Sequence, residues 1–538
     1  MKLVTVEQIR ELEQQAAKIG LNQERLIRNA GLAIGALADF LHGDSEPTTN
    51  VLVLIGPGNN GLDGLVAAID LAKTGHSVIA YVCIPSPKLT SFTTQAQEKG
   101  VLVVTSDFDY SILREQLSKA DFIIDAILGT GNNRKIENPL ATILDLVHAE
   151  QLEDDPPKIL AVDIPTGINA NSGSVDDHHI DADFTLSLGF PKIGQFLSPA
   201  AEYTGKLFNA SIGIPTTFSE KIPTAISTSA SIRALIGVRS KFSHKGTFGK
   251  ALIIAGSSQY IGAAYLACMG GLRTGCGYVT LGSLATNYPI LSTQLVEPTH
   301  LIIPETVPGS PANTAADTIL EASNQYDALL IGCGLGNQPG VQELVSSVLL
   351  SRTTLSTPAV VDADGLTHLS KTNVWWEKLT SPTIITPHPG EMATLTGIPI
   401  NEIQNNRVEY SRKFALEWEV VIVLKGAYTI IASPDGRQFL NPFANPILAT
   451  AGTGDVLAGV ITGQLAQGLS PFEAAVSGVF IHSIAGEILS TEVGDRGGIA
   501  TDLAGKIPHA IQAIKTLDGH FLDGIESIPI GADWILYP

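Results

Sequence analysis

The segment AGTGDVLAGVITG, Ala451 to Gly463, sets Gly452 and Gly454 just before an apolar helical run, with Asp455 in its first turn. Glycines leave backbone N–H groups uncovered, and the positive end of a helix dipole favours phosphates and the charge of phosphoryl transfer. A carboxylate beside them can take the proton of an attacking hydroxyl. The same Gly-x-Gly-Asp also makes an ordinary helix start, so the motif alone leaves both readings open. Its company is more telling. Lys425 occupies the loop of VVIVLKGAYTIIASPDG (420–436), His388 and Glu391 follow IITP, and Asp362 and Asp364 end a third apolar run. A single loop lysine is usually solvated and a single histidine usually structural, but several polar strand ends at one sheet edge favour a site.

A second constellation lies in the first half. GPGNNGLDGLVAAIDLA, from Gly56, follows an apolar strand and opens a helix, which suits phosphate. Asn59, Asn60 and Asp63 add amides and a carboxylate, oxygen ligands of the kind hard cations prefer. Asp125 ends FIID before GTGNNRK, and Asp163 ends ILAVD before IPTGINANSG. Either aspartate alone could be a loop cap; three polar strand ends in one doubly wound sheet converge on one crevice.

The elements that must hold these residues alternate. From residue 51, β-branched runs (VLVLI, SVIAYV, DFIID, ILAVDI) are separated by amphipathic stretches, which implies an α/β fold with a parallel sheet. The first 40 residues read as helices, with Thr5 as N-cap and Ile9, Leu12, Ala16 and Ile19 at helical spacing. The stretch 215–240 loses its strands, so a boundary falls near 225, giving domains of 1–224 and 225–538. A second alternating series starts at ALIIAG (251–256) and ends in two helices, about 454–468 and 472–490; the Gly- and Pro-punctuated tail has no assignable period.

Composition bounds the partners. With 53 acidic and 33 basic residues the net charge is -20, which argues against nucleic acid, while backbone donors can still bind an anionic dinucleotide. Cys83, Cys268, Cys276 and Cys333 form no ligand pattern and read as reduced core residues. The first residues lack the order of a secretory signal, and no uninterrupted apolar run reaches membrane-spanning length, so a cytoplasmic protein with no membrane partner is expected.

Residues 1–215 resemble the N-terminal domain of the NAD(P)H-hydrate repair proteins, whose pattern is a Glu-rich leading helix, an NNGGDG turn, D-x-x-x-G-T-G and VDIPSG. The resemblance implies a Rossmann-like three-layer domain that epimerises hydrated nicotinamide dinucleotides. It implies potassium on Asn60, Asp125 and Thr166. It implies substrate contacts from Asn59, Asn60, Gly61, Leu62 and Asp63, from Gly129, Thr130, Gly131, Asn132, Asn133, Arg134 and Lys135, and from Asp163, the candidate acid/base. The chemistry is simple. A hydroxyl at C6 of the reduced ring sits beside N1, whose lone pair expels it reversibly, and water returning to the other face inverts the centre. Three positions depart from the pattern. Leu62 replaces the second glycine of the turn, where close approach or a positive φ is expected; Thr166 replaces serine and keeps a hydroxyl; LIRNAG (26–31) puts Arg28 where the family has glutamate.

Residues 240–510 resemble the ribokinase-like dehydratase domain of the same family, through AGTGD after the KGAYT strand pair, TPHPGE, DADGL, GKALIIAGSSQYIGAAYLA from Gly249, and LIGCGLG from Leu330, with Cys333 where proline is common. This implies hydrate contacts from Ala264, Gly334, His388 and Asp455. It implies adenine-nucleotide contacts from Lys425, Gly426, Ala427, Tyr428, Thr429 and Gly454. Phosphorylation of the C6 hydroxyl by ADP, with Mg2+ and with Asp455 as base, would turn a poor leaving group into phosphate. The substrates would be NADH hydrate, NADPH hydrate and ADP, and a homo-oligomer is expected. Two other readings stay open: a ribokinase-like small-molecule kinase, and a noncatalytic ligand-binding N-terminal module.

Overall fold

The computed structural model describes residues 1–42, 49–131, 134–351, 355–516 and 535–537. The chain divides into two compact units, Met1–Pro223 with His520–Pro538, and Thr224–Gly519. The sequence pattern puts the tail with the second domain. Instead its strand Ile535–Tyr537 joins the sheet of the first unit, so the last residues belong there.

In the first unit seven strands are parallel: β1 Asn50–Ile55, β2 Ser77–Val82, β3 Leu102–Val104, β4 Phe122–Ala126, β5 Lys158–Val162, β6 Phe184–Leu188 and β7 Lys206–Ala210. Their order is β7-β6-β5-β4-β1-β2-β3, and the C-terminal strand pairs antiparallel with β7, covering an edge that would otherwise present unpaired backbone groups. Order reverses between β4 and β1, the switch point where ligands bind in open α/β sheets. The first helix, Val6–Lys18, starts at Thr5, whose hydroxyl accepts from the Gln8 N–H while the Gln8 side chain accepts from the Thr5 N–H. Ile9, Leu12 and Ala16 are buried in the core; Ile19, expected on the same face, is 63 % exposed at the helix end.

Strand β8, Thr224–Ile226, lies inside the stretch where sequence periodicity suggested none. Three residues are too few to show alternation, but they pair parallel with the edge of the second sheet. The remaining strands of that unit are β9 Lys250–Ile254, β10 Tyr278–Leu284, β11 Thr299–Ile303, the separate hairpin β12 Glu305–Val307 and β13 Ser310–Pro311, then β14 Ala328–Ile331, β15 Ala359–Val361, β16 Thr383–Ile385, β17 Val421–Leu424, β18 Ile430–Ala432 and β19 Gln438–Leu440. The ten-stranded order is β11-β10-β9-β14-β15-β16-β17-β18-β19-β8, parallel through β17 and antiparallel at β18 and β19. The tail strand, β20, is Ile535–Tyr537.

Both helices expected after Gly452 form, as Thr453–Ala466 and Pro471–Val493. The second is long and apolar enough to cross a membrane, but most of it is buried in the unit, as a core helix would be. A third, Ala500–Thr516, follows the two that the sequence pattern gives and contains Pro508 in its interior. The helix Thr453–Ala466 packs on Ile261–Arg273 at backbone distance: a Cβ on Gly459 would fall 2.0 Å from the Ala267 carbonyl oxygen.

Candidate active sites

The carboxyl ends of β1, β4, β5 and β6 enclose a cavity of about 680 Å³ in the first unit. Its walls include Asn59, Asn60 and Asp63 from the turn after β1, Gly129, Thr130 and Gly131 from the loop after β4, and Asp163 after β5. The turn requires two glycines. A Cβ on Gly56 would lie 1.7 Å from the Ile127 carbonyl oxygen, and one on Gly61 would lie 2.1 Å from that of Gly56. Leu62 is different from what the family pattern suggested. It sits inside the helix Asn59–Thr74, among residues of ordinary negative φ, and its side chain packs in the core, so it forces no strain on the turn. Arg28 is exposed and shares with Leu62 the wall of an adjoining cavity.

Asn60, Asp125 and Thr166 come together. Thr166 donates from its N–H and its hydroxyl to the two oxygens of Asp125, each at 2.7 Å, and its Oγ1 accepts from the Leu128 N–H. Burial pushes Asp125 up to about 6, against the pull of those donors. Asn60 is buried against Gly129, and its Nδ2 has no hydrogen-bond partner. The Asp125 carboxylate and Thr166 hydroxyl, with the Asn60 amide against the neighbouring loop, offer oxygens that fit a hard monovalent ion, and among the described residues no cationic side chain pairs with Asp125. Asp63 is held well above the ordinary carboxyl range by burial and by the carboxylates of Asp163 and Glu13.

Asp163 has a left-handed backbone, φ +66°, which turns its carboxylate off the end of β5. Its Oδ1 accepts from the Leu188 N–H at 2.9 Å and from the ammonium of Lys192, and the Gln195 amide fixes its carbonyl. Lys192 is 1 % exposed and also donates to the Leu188 carbonyl. Lys192 and Glu13 line the cavity, and neither was named from sequence. Lysine in FPKIG and glutamate in the leading helix are ordinary surface types, and only the fold buries Lys192 and half-buries Glu13. Lys135 instead pairs with Asp177 on the exposed surface, and Asn132 and Asn133 lie outside the described residues.

In the second unit Asp455 is half-buried in the first turn of Thr453–Ala466. Ligand atoms of Asp455, Asp362 and Cys333 lie within 4.8 Å of one another. Lys425 donates to Asp362 Oδ1 at 2.7 Å and lies 3.6 Å from Glu391; Thr386 donates to the same Asp362 oxygen. Burial pulls the Lys425 ammonium down, but the two carboxylates outweigh it and hold the pKa above its ordinary value. Burial, aided by Asp362, pushes Asp455 up to about 6, and burial raises the Cys333 thiol well above its usual range. All four cysteines are buried and unpaired.

A cavity of about 370 Å³ is lined by Lys425, Gly426, Ala427, Thr429 and Gly454 together, a volume within the roughly 300–1,000 Å³ of small-molecule sites. Tyr428 turns the loop between them with φ +52°. His388 caps the helix Pro389–Thr396 through Nδ1, places Nε2 3.6 Å from Glu391, and is 57 % exposed. Ala264 is buried where Gly256 comes close, and Gly334 lies against Ala263 and Tyr260. Asn441, His482 and Ser483 also line the cavity and were not foreseen; they arrive from β19 and the helix Pro471–Val493.

A family model described as NAD(P)H-hydrate dehydratase matches residues 251–509, and one described as YjeF-related protein N-terminus matches 23–194. The bifunctional NAD(P)H-hydrate repair enzyme of Thermofilum pendens is 34 % identical over 521 residues, spanning 96 % of this chain and 97 % of its own. That of Moorella thermoacetica is 33 % identical over 524 residues, spanning 96 % and 97 %. A crystal structure of the ADP/ATP-dependent NAD(P)H-hydrate dehydratase from Bacillus subtilis, co-crystallised with ATP and Mg2+, is 35 % identical and covers 54 % of this chain and 98 % of its own, with a TM-score of 0.47. By its two matched domains and its near full-length relatives, the chain belongs to the family of bifunctional NAD(P)H-hydrate repair enzymes.

Proposed function

We propose that the first unit epimerises R and S hydrates of NADH and NADPH, and that the second dehydrates the S form with ADP, giving NAD(P)H, AMP and phosphate. The observation that carries the reading is the position of Asp455: half-buried at a helix start, beside the Asp362–Lys425 pair, and next to Gly454 in the wall of a nucleotide-sized cavity. Family membership in both halves disfavours a small-molecule kinase joined to an inert module.

In the second unit Asp455 takes the proton of the C6 hydroxyl as its oxygen attacks the terminal phosphorus of ADP, and AMP leaves. The amides from Gly452 to Gly454 and Lys425 hold the transferring phosphoryl, with the helix dipole favouring its charge. The ring nitrogen then expels the new C6 oxygen as phosphate, and the resulting C6=N1 iminium loses a proton from C5, restoring the reduced nicotinamide. Mg2+ would be held by Asp362, whose oxygens suit it, and would offset phosphate charge. His388 and Gly334 position the hydrate; Ala264, wholly buried against Gly256, does not reach it.

In the first unit Asp163 hands a proton to the departing hydroxyl and takes one from the returning water, while Lys192 holds its carboxylate in place. Potassium would sit on Asn60, Asp125 and Thr166 and balance the buried Asp125 charge. The turn 59–63 and the loop residues 129–131 cradle the dinucleotide. Incubation with S-hydrated NADH and ADP should restore the absorbance of NADH and release AMP and phosphate in equal amounts. No recovery above the spontaneous rate would refute the dehydratase reading.

A further inference from the structure

Asn441 is the first residue after β19 and is 2 % exposed. Its N–H donates to the Thr429 carbonyl at 2.9 Å, which ties the residue to the loop carrying Lys425. Its side-chain Nδ2 donates to Ser483 Oγ at 2.8 Å, and Ser483 is itself buried in the helix Pro471–Val493. Oδ1 is buried and has no hydrogen-bond partner. Both residues line the cavity that also contains Lys425 and Gly454. Much of the rest of that wall is apolar, including Phe443, Leu457 and Val479.

A buried amide oxygen without a donor is unfavourable unless a ligand supplies one. The apolar walls suit the faces of a purine, leaving its polar edge to be met by an acceptor. We infer that Asn441, oriented by Ser483, reads the six-position of the base and selects a 6-amino purine over a 6-oxo purine. The inference rests on the proposal that an adenine nucleotide occupies this cavity, and it names the residue that makes the nucleotide adenine. The exocyclic amine of adenine donates to Oδ1. In hypoxanthine or guanine a carbonyl oxygen stands there, so two acceptors face each other and both stay unsatisfied. Ser483 matters because an amide has two ends. While the hydroxyl accepts from Nδ2, only the acceptor end is free; released from Ser483, the amide can turn and offer a donor to a 6-oxo group.

The test compares ADP with inosine diphosphate, which differ at this edge, as phosphoryl donors for dehydration of S-hydrated NADH by the full-length protein. The wild type should prefer ADP, and Asn441→Ala should lower the ratio of kcat/KM for the two donors by about tenfold or more, as expected from the loss of one buried hydrogen bond. Ser483→Ala should lower it as well, by raising use of inosine diphosphate, and this variant decides the matter if Asn441→Ala does not fold. A wild type indifferent to the two nucleotides, or a folded variant of either residue that keeps the wild-type ratio, would overturn the inference. Thermal shifts separate it from the proposal beneath it. If the wild type dehydrates nothing, yet ADP raises its Tm more than inosine diphosphate does and the variants lose that difference, base selection stands and the reaction does not.

Discussion

At the level of single residues, the two carboxylates proposed for proton transfer are held by different means. Asp163 is held by the ammonium of a lysine that is almost wholly enclosed. Removing one partner of a buried pair leaves an uncompensated charge, and Asp163 keeps some contact with solvent, so Lys192→Met should destabilise the first unit by about 3 kcal/mol, the low end for such pairs. It should also slow epimerisation more than it weakens hydrate binding, since the lysine acts by positioning the acid/base; kcat and KM measured separately, with a melting curve, check both. Lys192→Arg should recover part of the rate. Asp455 has a cation close by, held by Asp362, and burial dominates, raising it to about 6. A base must be ionised to accept a proton. Above pH 6 the carboxylate is present; below it the protonated acid accumulates, and dehydration should fall about tenfold for each further pH unit. The kcat/KM profile for the hydrate reads this on the free enzyme. A flat profile down to pH 4 would remove Asp455 from the role of base.

Elements decide where such residues meet, and here close backbone approach is the recurrent device. The turn after β1 presses against the segment after β4 at Gly56 and folds onto itself at Gly61, with room for no side chain at either. Gly61→Ala would put a methyl group 2.1 Å from a carbonyl oxygen, so the loop must open. The expected result is loss of epimerisation with dehydration retained, measured on separate R and S hydrates. Retained epimerisation would mean that the turn does not set the site. The same reasoning explains what could be read from sequence. Strand ends bearing Asp125, Asp163 and Asp362 were legible because β-branched runs mark the strands and doubly wound sheets gather their carboxyl ends. Thr5 as N-cap was legible because capping is local. The hidden features depend on distant partners. Lys192, Glu13 and Asn441 look like surface residues until a sheet or helix far along the chain covers them. Leu62 shows the converse error: a family glycine does not mark the tight spot, which belongs to Gly56 and Gly61. The helix Ala500–Thr516 keeps Pro508 in its interior because tertiary packing maintains it, with Leu503, Ile507 and Ala510 buried along it.

Across the whole molecule, two folds carry two reactions that share an intermediate. The Rossmann-like unit interconverts the hydrates, and the ribokinase-like unit consumes one of them, so the joined chain clears both epimers where the dehydratase alone would leave R. Their proposed catalytic residues lie in separate compact units with separate cores. Asp163→Asn keeps the size and removes the acid/base, and Asp455→Asn does the same for the other reaction. Given pure R hydrate and ADP, the first variant should form NADH only as fast as R isomerises spontaneously. The second should form S hydrate and no NADH. An equimolar mixture of the two should restore NADH formation, because each protein supplies the unit that the other lacks and S hydrate is a small molecule that can leave one and enter the other. NADH absorbance, with chiral separation of the hydrates, follows all three samples. If the mixture does no better than the first variant alone, the units do not work independently, and transfer of the intermediate within one chain or mutual dependence of the two sites would have to replace this account.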